Sequence, residues 1–194
     1  MTAGMVRAAV LCGAAALAAC APAVEEDGLI GQPFSAGPYG PGGPPQIGSI
    51  DAFVGGEPVS RRVYDYSVGA VDPGALTVPA PEGVRLFITG ATPPDPFRHA
   101  GELRLEAVLP DLAPGEGRLT LRLLVDGETE GPRFEGEGRL TLLQVSAPPE
   151  DTSISLYGRI TGRFEASLCP AGGQPPGPCL PASGSFDTAV YENR

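Results

Sequence analysis

Lysine and tryptophan are missing from this 194-residue chain, and histidine occurs once, at His99. All 13 basic residues are arginine; set against 23 carboxylates they leave a formal net charge of −10 at pH 7. A surface with that balance repels nucleic acid and anionic head groups, so neither is an expected partner. With no tryptophan, seven phenylalanines and five tyrosines, little is on hand for a sugar-stacking platform or a peptidoglycan-binding groove. Long hydrophobic runs are absent too. The uncharged stretch Ala8 to Ala19 has 12 residues, short of the roughly 20 that a spanning helix needs. With 28 glycines and 23 prolines, no segment sustains the 3.6-residue period of a helix.

What is present near the start is an address. The short apolar stretch follows Arg7 and closes on Leu17-Ala18-Ala19-Cys20, followed by Ala21 and Pro22. That arrangement resembles the lipobox of bacterial lipoproteins. The resemblance implies that residues 1–19 are a signal peptide, that Cys20 carries a diacylglycerol, and that cleavage leaves Cys20 first in the mature chain. Initiation at Met5 instead of Met1 would bring the initiator amine close to Arg7 and give a tighter basic region. The rival processing is ordinary cleavage after Ala21-Pro22-Ala23, which discards Cys20 and releases a soluble protein. Lipidation is preferred, because a cysteine directly after small residues at that place has no other evident purpose. Ala21, where aspartate would retain a lipoprotein at the inner membrane, resembles outer-membrane sorting. The expected location is the cell envelope, lipid-anchored and facing the periplasm or exterior, with the acyl chain as the membrane contact.

Cysteine usage agrees with export. Cys12 lies in the signal and Cys20 is the lipid site, which leaves Cys169 and Cys179 around Pro170-Ala171-Gly172-Gly173-Gln174-Pro175-Pro176-Gly177-Pro178. That segment offers no further metal ligand, and zinc usually takes four, so a disulfide is expected and neither a metal nor a cofactor is. Between Cys20 and the domain, residues 20–48 read as a tether: from Gly28 to Gly48, 12 of 21 residues are glycine or proline. As a coil this segment would span about 30 Å. Phe34 and Tyr39 are the two aromatic residues in it that could pack back on the domain.

Residues 49–194 read as one all-β domain, a single antiparallel domain of about eight strands forming a curled sandwich or a small up-and-down barrel. Leu103, Leu105, Ala107 and Leu109 alternate with polar residues, and so do Leu119, Leu121, Leu123 and Val125; the Pro110 to Gly117 loop joins the two segments as a hairpin. Arg133 to Ser146 follows with Phe134, Leu140 and Leu142 on one parity. Its pattern then shifts to Leu143 and Val145, which predicts a β-bulge or bend. Ser153 to Leu168 is the longest alternation, with Ile154, Leu156, Ile160, Phe164 and Leu168 on one face; sixteen extended residues exceed about 50 Å, so it must curve, and Gly158 and Gly162 on the inner face permit that. Gly162-Arg163-Phe164 echoes Gly184-Ser185-Phe186 in the last strand, Ser183 to Tyr191, which predicts two adjacent antiparallel strands stapled by the Cys169 to Cys179 bridge. Ile50 to Val54, Val59 to Val68 and Val84 to Ile88 supply further strands.

Catalytic equipment is sparse. His99 sits in a proline-rich loop without a G-x-S-x-G elbow or a free mature cysteine, so an ordinary exposed histidine is the simpler reading. Asp126, Glu128, Glu130, Glu135 and Glu137 gather oxygen ligands near a turn, as calcium prefers, but lack EF-hand spacing. Alternation puts Glu135, Glu137 and Arg139 on the solvent face, where charge serves solubility. Tyr64 and Tyr66 form the one evident aromatic pair, suited to sheet packing. The expected protein is a non-catalytic lipid-anchored envelope lipoprotein whose domain binds or stabilises another envelope protein, or takes a small apolar ligand. The alternatives are a secreted hydrolase with an unrecognised carboxylate or serine site, and a lipocalin-like carrier with an unfilled apolar interior.

Overall fold

The alternation of apolar and polar side chains is realised as strands throughout the computed structural model, which describes residues 43–65, 74–92, 101–124, 133–147, 156–171 and 175–192. All of them fall within the unit Phe34–Arg194, and none within the separate unit Met1–Pro33. Among the described residues there are nine strands and no helix: β1 (Gln46–Val54), β2 (Glu57–Tyr64), β3 (Ala75–Ala80), β4 (Gly83–Ala91), β5 (Leu103–Leu109), β6 (Gly115–Leu124), β7 (Arg133–Ser146), β8 (Leu156–Ala171) and β9 (Leu180–Glu192). Three of the segments expected to be strands extend past that set: Tyr66 to Val68 after β2, Val125 after β6, and Ser153 to Ser155 ahead of β8 lie outside the described residues.

Antiparallel pairing runs from β1 to β2, from β2 to the end of β4, and then strand by strand from β4 to β9, which returns to β1. The ladder thus closes on itself as a curled ring. β3 is additional to that circuit. β2 meets β4 only at Arg62 opposite Ala91 and Val63 opposite Gly90. β3 takes up the rest of that edge, antiparallel to β4 and parallel to β9 at Leu76 and Thr77. The all-β expectation holds, with nine strands where about eight were expected and one parallel contact among antiparallel ones. β3 escapes sequence reading because Ala75, Leu76 and Thr77 are buried in succession, giving no alternation, and because Pro79 lies within it. Pro79 falls beyond the part of β3 that pairs with β9, an edge position where a missing N–H is tolerated.

Inside the ring, Ile50, Leu86, Ile88, Leu105, Leu121, Leu140, Ile160, Phe164, Phe186 and Val190 are each no more than 3% exposed. β5 carries the alternation without a break, Leu103, Leu105, Ala107 and Leu109 all turning inward. The parity shift expected in β7 is a register shift against β8 between Leu142 and Gln144. Leu143 takes the outward position at 55% exposure, and Val145 packs back on the core. A second shift falls between Leu156 and Gly158, where Gly158 sits at φ 146° with its Cα close against the Ser146 carbonyl. Only glycine adopts that conformation at such proximity without strain. These two irregularities let the 14-residue β7 and 16-residue β8 coil around the core.

β8 and β9 are adjacent and antiparallel, as their sequence echo predicts, and the echo has a packing reason. Gly162 lies opposite Phe186, and Phe164 opposite Gly184. Each phenylalanine ring occupies the space over the glycine facing it: a Cβ at Gly184 would fall 2.8 Å from Phe164 Cζ, and one at Gly162 would run into the Phe186 ring.

A polar knot closes the end of the ring where β1 begins. The Tyr191 hydroxyl donates to Asp65 Oδ2 at 2.9 Å, the Asp65 N–H donates to Pro45 O at 2.9 Å, and Thr77 Oγ1 donates to Tyr191 O at 3.3 Å. Partial burial, then the hydrogen bond and charge of Asp65, push the Tyr191 phenol up to about 12.

Mutation of the paired glycines and rings should show this packing directly. Gly162→Ala should destabilise the domain by about 1–3 kcal/mol in urea unfolding, and Phe186→Leu in the same chain should recover part of that loss, a coupling that independent effects would not produce. Because Tyr191 ionises near 10 when unfolded and near 12 when folded, stability should fall as pH rises between those values. Tyr191→Phe should abolish that share of the alkaline loss and remove the late step from an ultraviolet phenolate titration.

Candidate functional site

The ring's outer surface divides into two walls of different chemistry. On β4 to β7 the outward positions are mostly charged and linked: Arg85 to Glu106 at 3.6 Å, Glu106 to Arg122 at 3.4 Å, and Arg122 to Glu135 at 3.3 Å. The Glu135 hydrogen bond raises the Arg122 pKa above its ordinary value, against a smaller opposing effect of burial. Such half-exposed pairs contribute at most about 1 kcal/mol each. Their interleaving also answers the like-charge contact that register imposes where Arg104 faces Arg122 and Arg118 faces Arg139. A groove of about 520 Å³ opens on this wall over Val108, Leu109 and Pro110. Two ion pairs rim it, Glu82 to Arg118 at 2.8 Å and Glu116 to Arg139 at 3.5 Å.

The opposite wall, on β2, β1, β9 and β8, mixes serine and threonine with charged side chains and one phenylalanine. Register sets Ser60, Asp51, Ser185 and Arg163 in one row across the four strands, and Pro58, Phe53, Ser183 and Glu165 in the next. Ser60 Oγ donates to Asp51 Oδ1 at 2.6 Å, and Arg159 Nε to Asp187 Oδ1 at 2.6 Å. Phe53 is 59% exposed in the middle of its row. Its neighbours Pro58, Ser183 and Glu165 are exposed as well.

One buried carboxylate was not singled out by sequence reasoning. Glu102, just ahead of β5, has a side chain only 6% exposed and forms an ion pair with Arg104, whose Nε lies 2.7 Å from Glu102 Oε2. The Glu102 carbonyl accepts from the Leu124 N–H at 2.9 Å. The neighbouring Gly101 carbonyl accepts from Arg61 Nε and, at 3.2 Å, from Thr92 Oγ1. This cluster ties β2, β4, β5 and β6 together. Because its carboxylate is matched by a guanidinium and walled off from solvent, its chemistry is that of a joint. No local signal marks it, because a glutamate directly before a strand is ordinarily solvated.

Of the residues singled out from the sequence, Cys169 and Cys179 are bonded, with sulfurs 1.95 Å apart, and the bridge sits next to the Leu168 to Leu180 pair that begins the β8 to β9 ladder. Glu135 and Glu137 are exposed on β7, as alternation predicts, and Glu135 is engaged by Arg122. Tyr64 is half-buried at the end of β2. Cys20, Phe34, Tyr39, Tyr66, His99, Asp126, Glu128 and Glu130 lie outside the described residues. Among the described residues no three His, Cys, Asp or Glu side chains gather as metal ligands would. Ser60 is hydrogen-bonded to a carboxylate, but an exposed aspartate is too weak a base to activate a hydroxyl by itself.

No protein-family model, no curated protein and no solved structure matches this chain.

The disulfide closes a separation of 10 residues, a constraint on the unfolded chain of about 3 kcal/mol by loop-closure entropy. Cys169→Ser with Cys179→Ser should lower the urea midpoint by the corresponding amount, and reducing agent should shift the wild-type chain to the same midpoint while leaving the double variant unmoved.

Proposed function

We propose that this chain is a non-catalytic, lipid-anchored envelope lipoprotein whose β domain works through its outer walls, binding or bracing another envelope component. The observation that carries the reading is the filled interior. Phe164, Phe186 and a shell of leucine and isoleucine occupy the space the ring encloses, which favours an exterior-binding module over a carrier that would need an apolar chamber. The hydrolase alternative draws no comparable support: the described carboxylates on the outer walls are largely committed to arginine partners, and Ser60 has only Asp51 beside it.

The anchor in this proposal is Cys20, with residues 1–19 as the signal; the tether expected over residues 20–48 gives way to the domain by Gln46, where β1 begins. The domain then faces the periplasm or the cell exterior, held at the outer membrane by an acyl chain and not by surface charge. The disulfide between Cys169 and Cys179 suits an oxidising compartment.

The test is intact mass measurement of the protein extracted from membranes. The expected mass is that of a chain beginning at Cys20 plus a diacylglycerol and, where the cell adds one, a further acyl group. A Cys20→Ser variant should lose that mass and leave the membrane fraction. A wild-type chain beginning after Ala23, or retaining residues 1–19 without lipid, would overturn the reading.

A further inference from the structure

We infer that the wall formed by β2, β1, β9 and β8 binds a neutral polysaccharide chain, with the Phe53 ring as the stacking platform. The inference names the partner for the outward-binding role proposed above and rests on that reading. Sequence composition argued against sugar binding by counting aromatic residues; exposure and register change the weight of one of them. Phe53 points outward from β1 at 59% exposure, directly between Pro58 on β2 and Ser183 on β9. A ring this exposed leaves aromatic surface open to the C–H face of a sugar, whereas a ring needed for packing would be covered.

Around it the wall supplies further hydroxyl groups. The outward positions include Ser49, Thr161, Ser167, Ser183 and Ser185, and among the described residues none of their hydroxyls has a side-chain partner. Hydroxyls that both donate and accept are what a polyhydroxyl ligand pairs with.

Charge narrows the ligand further. Although the chain carries −10 overall, this wall sets Arg62, Arg159 and Arg163 against Asp51, Glu165 and Asp187. The balance among these six is zero, which matches an uncharged polymer and gives an anionic one no net attraction.

Affinity electrophoresis of the full chain in detergent tests this, since its negative charge supplies mobility in a native gel. Gels cast with dextran, hydroxyethylcellulose, laminarin or soluble starch should retard the protein in at least one case. Phe53→Ala should weaken the retardation roughly tenfold, Phe53→Tyr should keep most of it, and Arg122→Gln on the opposite wall should leave it unchanged. Because Phe53 is exposed, the alanine variant is expected to fold, which a matching urea midpoint would verify. No retardation in any of the four polymers, retardation indifferent to Phe53→Ala, or retardation seen only with an anionic polymer such as alginate would each overturn the inference. Acylation is read separately: a chain without lipid on Cys20 that is still retarded through Phe53 removes the anchor and leaves the glycan wall standing.

Discussion

Space inside the ring is the constraint on which this structure depends. A closed ring of this few strands is only wide enough for its own side chains to fill. Two phenylalanines fit into that space only because each faces a glycine on the neighbouring strand, Phe186 over Gly162 and Phe164 over Gly184. The exchange is mutual: the glycines, which weaken a strand when left open, are covered by rings, and the rings are spared the crowding that any Cβ opposite them would cause. The same shortage of space explains why β8 bends where Gly158 passes against the Ser146 carbonyl. A larger residue there would have to push the β7 and β8 backbones apart at the register shift.

Much of this was legible in the sequence because one-sided burial leaves a period of two. β5 shows the cleanest case, four apolar residues in strict alternation and all four inside. The β7 bulge was equally readable, since a change of parity after Leu142 has few other causes, although Leu143 turned out to be the residue expelled and Val145 the one recovered. The repeated Gly-x-Phe revealed a neighbour relation before any geometry was known. β3 was hidden for the opposite reason: sheltered at both Ala75 and Leu76, it loses the alternation on which such reading relies. The tight β1 to β2 hairpin carries a signal that was passed over, Gly55-Gly56, with both residues at positive φ as a two-residue hairpin loop demands.

The walls were harder to foresee than the core. Alternation says which residues face outward, but not which strands stand side by side, so the row Pro58, Phe53, Ser183 and Glu165 cannot be assembled without the register. Glu102 is a similar case, because its burial comes from the crossing of β2, β4, β5 and β6, and no local pattern records that crossing. Closure of the ring also shifts where function can reside. Most of the circuit is paired on two sides, but β2 meets β4 at only two residue pairs and keeps its other edge over residues 57–61 without a ladder among the described residues. The two walls differ in what they carry: one is linked by a chain of ion pairs, the other sets the Ser60 to Asp51 and Arg159 to Asp187 contacts among further hydroxyls and the exposed Phe53 ring.

The position of β1 gives a mechanical sense to this arrangement. The N-terminal segment enters the domain at β1, which is hydrogen-bonded along nearly its whole length to β2 on one side and β9 on the other. A pull arriving from that segment runs along the strand, so both ladders resist together in shear, whereas an edge strand pulled from a corner would release its bonds one after another. The entry itself is secured where Pro45 accepts from Asp65 and Asp65 accepts from Tyr191. At the far end of β1 the Gly55 N–H donates to Pro181 O at 2.8 Å, close to the disulfide. The strand that takes the load is thereby fastened at both ends, by a polar knot at its entrance and next to a covalent bridge at its exit, and Phe53 sits at the fastened exit and away from the entrance. The exposed Phe53 ring thus stands at the end of β1 that is fastened beside the disulfide.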